Sequence, residues 1–176
     1  LNDHKIFTIT TVPEIGGWKE LNSFLKQYRS IPLLVSGISW GEQRYAIGLL
    51  KDHPNLHISF DRMQINEGLE FLYKKGYINQ LIFATDCPTM SAGAHRTYID
   101  YASIPAEAKA KIAGGNLIRL LGGQAPKKVH TNRSEDILMT AVRNGKPLPV
   151  PVIDMHMHML HEGINGAGGT GYHMEN

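Results

Sequence analysis

The chain has 176 residues, 42% hydrophobic and 19% charged, with a formal net charge of +2 when its nine histidines are neutral. That is the size and balance of an ordinary globular chain with a real core, not of a disordered or fibrous one. With no basic cluster beyond Lys127-Lys128, nucleic acid is excluded as a partner, and no apolar run approaches the roughly 18 residues of a membrane span. The single cysteine, Cys87, rules out an internal disulfide framework and suits a reducing, cytoplasmic compartment. The polar start LNDHK is not a secretory signal, and a first residue of Leu points to an excerpt of a longer product.

Four β-rich apolar runs start about 25 residues apart: Lys5 to Thr11 (KIFTITT), Ile31 to Ser36 (IPLLVS), Asn55 to Phe60 (NLHISF) and Gln80 to Thr85 (QLIFAT). Each reads as a strand buried on both faces. Helical stripes separate them: Trp18, Leu21, Leu25 and Tyr28, then Tyr45, Leu49 and Leu50, then Ile65, Leu69 and Leu72. Strand and helix in strict alternation predict right-handed βαβ units and a parallel sheet, the rhythm of α/β barrels and doubly wound sheets.

After Asp86 the pattern turns helical. Pro105 and Glu107 open a helix-forming run through Ala113, Gly114-Gly115 interrupts it, and Asn116 to Leu121 adds a turn or two closed by Gly122-Gly123. A linker follows, with a short helix starting near Ser134 and stopping at Asn144-Gly145. The proline-rich run Lys146 to Pro151 then leads, extended, into a fifth strand, VIDMHMHML.

In that strand Asp154, His156 and His158 alternate with Met155, Met157 and Met159, so the first three share one face. Two imidazoles side by side on a strand suit a transition metal such as zinc, iron, nickel or manganese. A catalytic site needs a further protein ligand and an open position for water. A His-x-His pair on a surface strand is the bland alternative. The apolar leader Pro151-Val152-Ile153 favours the metal, because it puts the pair where a buried strand emerges.

Together these residues resemble the amidohydrolase superfamily. VIDMHMHM is similar to its first barrel strand, apolar-apolar-Asp-x-His-x-His, and IFATDCP (residues 82–88) to its eighth strand. HPNLHI (53–58) resembles the entry to the seventh strand. GNLIRLLG (115–122) resembles the final helix of the branch related to metal-dependent decarboxylases and lactonases. The resemblance implies an α/β fold whose parallel βα units form part of a (β/α)8 TIM-type barrel. It also implies a divalent metal, zinc first, that activates water against an amide, ester or lactone carbonyl of a small-molecule substrate. Decarboxylation is the alternative within the branch. By the same resemblance His156 and His158 are metal ligands, and Asp86 is both ligand and catalytic acid–base.

The eighth strand and last helix precede the first strand, and a barrel needs about 200 residues or more. The expectation is a junction in a tandem protein: residues 1–122 the back half of one barrel, 123–149 a linker with a short helix, 150–176 the opening strand and Gly-rich loop of the next. A rearranged barrel, with first strand beside eighth, is the other arrangement. The family's histidines on strands five and six are missing; Thr8 to Thr11 and Ser36-Gly37 stand there. A degenerate, non-catalytic barrel half is therefore a third reading. Cys87 reads as a small packed residue, and His57 and His95 as structural or surface side chains. The tail GAGGTG (166–171) matches G-x-G-x-x-G, but the chain ends before the helix and acidic residue that a dinucleotide site requires. The open flanks of an incomplete barrel predict self-association into a homo-oligomer.

Overall fold

The computed structural model describes residues 8–62, 65–123, 137–147 and 149–151. The chain divides into two compact units, Leu1–Pro126 and Lys127–Asn176.

In the first unit four strands, β1 (Thr8–Thr11), β2 (Leu33–Ser36), β3 (Leu56–Ser59) and β4 (Leu81–Ile82), form one parallel sheet in the order β1-β2-β3-β4. This is an α/β fold of parallel βα units. A doubly wound sheet reverses its strand order at a switch point, whereas here each strand joins its predecessor on the same side, as strands succeed one another around a (β/α)8 barrel.

The helices between strands are α1 (Trp18–Gln27), α2 (Gln43–Asp52) and α3 (Gly68–Lys74). Each buries residues three or four apart: Leu21 and Leu25, Ala46 and Leu50, Leu69 and Leu72. They pack on the sheet face that carries Leu33, Val35, Leu56, Ile58 and Leu81. Each fully buried leucine there stabilises the unit by about 1.5–3 kcal/mol. The opposite face carries Leu34, His57 and Ile82, also buried. β2, β3 and β4 are thus covered on both faces as expected, but β1 is not: Ile9 is 61% exposed, because β1 ends the sheet among the described residues. In α2 Leu50 is buried and Leu49 packs against the core as expected, but Ala46 is the other buried residue and Tyr45 is half-exposed.

Beyond β4 come α4 (Ala92–Asp100), α5 (Ala106–Ala110) and α6 (Asn116–Leu120). Gly114-Gly115 does not interrupt the helix. The backbone passes from α5 to α6 through a π-helical turn, Lys111–Gly115, in which the Asn116 N–H reaches the Lys111 carbonyl. A Cβ at Gly115 would sit 3.3 Å from the Ala110 oxygen, so the turn favours glycine.

Side-chain amides tie the strand entrances together. Asn116 Nδ2 donates to the carbonyls of Ile78 (2.7 Å) and Leu81 (2.9 Å). Gln80 Nε2 reaches those of Leu50, His53 and Leu56 at 3.0–3.2 Å, and Asn55 Nδ2 those of Tyr28 and Ile31 at 3.1 Å. These amides add a second donor to carbonyls such as those of His53, Tyr28 and Ile78, which already accept a backbone N–H, and so pin each strand entrance to the helix before it.

In the second unit α7 (Ile137–Arg143) ends where the Lys146 N–H donates to Ala141 O at 3.0 Å, with Gly145 at φ 60°. No described helix is long and apolar enough to cross a membrane.

Candidate functional site

Parallel α/β folds gather chemistry where strands end. Thr11 on β1 pairs in register with Ser36 on β2, and Ser59 on β3 with Ile82 on β4. Continuing the Val35–Ile58 pairing by one residue sets Ser36 level with Ser59. The strand ends therefore carry a row of hydroxyls, Thr11, Ser36 and Ser59, at one level of one face. Thr11 and Ser36 stand where the resemblance calls for histidines.

Above this row the carboxylates are engaged. Glu14 accepts from the Thr11 N–H at 2.8 Å, and that backbone bond, with the Thr11 hydroxyl, lowers its pKa. Glu42 closes a capping box on Ser39, accepting from its hydroxyl (2.7 Å) and its N–H (3.2 Å), which lowers its pKa too. Asp61, two residues past β3 and only 5% exposed, accepts from the Ser59 hydroxyl and from the Gly37 N–H at 3.3–3.4 Å. That bond joins the loop after β2 to the loop after β3.

Asp86, four residues past β4, adopts a left-handed backbone with φ 50°. Asp tolerates that region better than most residues. Its side chain, 31% exposed, meets the Arg62 guanidinium at 2.7 Å. The Asp86 hydrogen bond and then its charge raise the Arg62 pKa. The Met90 N–H donates to Asp86 O at 3.0 Å, closing the loop toward α4, and the Cys87 N–H donates to Thr85 Oγ1 at 3.3 Å. Cys87 is exposed, not packed, because it lies on this loop past the strand.

His95 on α4 is fully buried. Its Nε2 faces the Asp61 carbonyl at 2.5 Å and its Nδ1 the Ser91 carbonyl at 2.8 Å. His57 on β3 is 4% exposed and its Nδ1 has no partner. Burial, then the Arg119 charge, pushes its pKa down to about 4.

Of the residues expected to form the site, Asp86 stands at a strand end of the first unit, while His156 and His158 lie outside the described residues. Among the described residues no three of His, Cys, Asp and Glu are placed to hold a metal ion. The donors at the rim explain this. Three carboxylates are spent on backbone N–H groups, one is paired with Arg62, and hydroxyls replace imidazoles on β1 and β2. The described residues alone do not fit a divalent metal. Asp61, Arg62 and His95 were not expected from the sequence. Asp61-Arg62 carries the same signal as Asp86, a charged residue just after an apolar strand run. Nothing local marks His95.

No family model matches the chain, and no curated protein does. Among solved structures it is similar to the crystal structure of 5-carboxyvanillate decarboxylase LigW from Sphingomonas paucimobilis, with 17% identity and a TM-score of 0.41, over 58% of this chain. The match spans 38% of the length of that protein.

Proposed function

We propose that the chain carries strands five to eight of an amidohydrolase-like, metal-dependent enzyme that acts on a small molecule. Its metal, zinc in the first instance, is held by His156, His158 and Asp86, and the reaction is hydrolysis of an amide, ester or lactone. The observation that supports this reading is Asp86: a half-buried carboxylate past a buried parallel strand, on a left-handed residue, at the sheet edge where such chemistry gathers. Residues 8–123 hold no catalytic centre by themselves; Asp86 acts only with donors from outside them. Arg62 favours a second reading, decarboxylation, whose substrate must bear a carboxylate. A half-exposed guanidinium beside Asp86 is suited to pair with one.

Elemental analysis of the purified chain tests the site. About one metal per chain, lost both in a His156→Ala/His158→Ala double variant and in Asp86→Ala, is the expected result. Metal lost in the double variant alone, or absent altogether, separates Asp86 from the pair and leaves the chain a junction between barrels without a catalytic centre.

A further inference from the structure

We propose that His95 is a positioning residue for the Arg62–Asp86 pair. The two partners come from neighbouring strand ends, and a ring of contacts joins them. Asp61, the neighbour of Arg62, presents its carbonyl to His95 Nε2. His95 Nδ1 faces the carbonyl of Ser91, the residue that opens α4. Between Ser91 and Asp86 the chain is closed by the Met90 N–H on Asp86 O. The 2.7 Å contact between Arg62 and Asp86 completes the ring.

The choice of side chain supports a role beyond filling space. Position 95 lies one helical turn before Ile99, and both are buried. An aliphatic residue would bury there without any polar group to satisfy. Histidine instead sets one ring nitrogen against each of two carbonyls, a span that no aliphatic side chain could make. Tyr98, one turn on from His95, ties α4 to Ile65 further along the loop after β3 at 2.8 Å, but the Asp61-Arg62 segment itself meets the loop after β4 through a surface ion pair, and such pairs alone hold geometry weakly.

The inference rests on the proposed function only in treating the pair as part of a working site, and its test needs no metal. In the full chain, without added metal, nuclear magnetic resonance of the Arg62 guanidinium should show Nη protons in slow exchange. Asp86→Asn sets the baseline of an unpaired Arg62. His95→Leu, which keeps bulk and removes both ring nitrogens, should lose the slow-exchange signals and fall to that baseline while the backbone spectrum stays folded. His95→Gln, whose amide keeps two N–H donors, should restore them at least in part. A folded His95→Leu protein with the wild-type Arg62 signals overturns the proposal. Should that variant fail to fold, His95→Met, whose flexible side chain also fills the site without a ring nitrogen, decides: loss of the slow-exchange Arg62 signals sustains the bridge, and their retention overturns it. Metal content plays no part in either outcome, so failure here and failure of the metal site are told apart.

Discussion

His57 is where burial acts most strongly on a single titratable group. Its ring lies on β3 level with Leu34, with one nitrogen unpartnered, and its pKa is lowered from 6.5 to about 4. Because the folded-state value is the lower, the unfolded chain takes the proton first as the pH falls. The contribution of neutral His57 is fully present above about pH 6.5, is lost progressively toward pH 4 and levels off below it. Over that window the loss amounts to about 3 kcal/mol. His53, lowered mainly by burial, adds to the same trend. Urea unfolding at pH 7 and pH 4.5 should therefore show a marked fall in stability. A His57→Leu variant should show a clearly shallower one; equal slopes would mean that His57 is not the group responsible.

Among the elements, α6 is held by one side chain more than by its length. Five residues of helix are marginal alone, and Asn116 fixes them by two bonds to carbonyls beside β4. Asn116→Ala leaves those buried carbonyls short of donors and should destabilise the first unit by about 1–3 kcal/mol, read as a lower thermal midpoint. Asn116 stood out in the sequence as part of the GNLIRLLG run, but its bonds were not legible, since its partners lie more than thirty residues earlier. The strands were legible because short runs such as LLVS are apolar on both faces; LHIS is apolar on one face only, and its other face, His57 and Ser59, is buried all the same. On α2 Leu49 and Leu50 face the core as their spacing implies, whereas Ala46 takes the place expected of Tyr45, a choice that only packing on the sheet decides. Asp86 announced itself as a charge just after an apolar run. Arg62 carries the same signal, but its pairing with Asp86 was not legible, because it reaches across 24 positions and a sheet register that spacing alone does not specify.

At the scale of the whole molecule, the sequential order of the sheet leaves the outer edge of β1 without a partner strand among the described residues, and on the same strand Ile9 stands 61% exposed on the sheet face. Unpaired strand edges recruit other strands. Sedimentation velocity over a range of concentrations should reveal a reversible homo-oligomer, weakened by Ile9→Lys; a strictly monomeric chain would remove self-association from the account. The π-helical turn at Lys111–Gly115 has a different kind of consequence. It holds one residue more than a regular helix would use, and each residue of α-helix advances the chain by about 100°. Deleting Gly114 would therefore leave a continuous helix, with its secondary-structure content unchanged, yet put everything after it out of phase. Asn116 and Arg119 would swing away from the Ile78, Leu81 and Asn79 carbonyls they now hold. Spectroscopically intact, the last helix would be unscrewed from the sheet. One supernumerary glycine thus keeps two otherwise ordinary helices in step with the strands they serve.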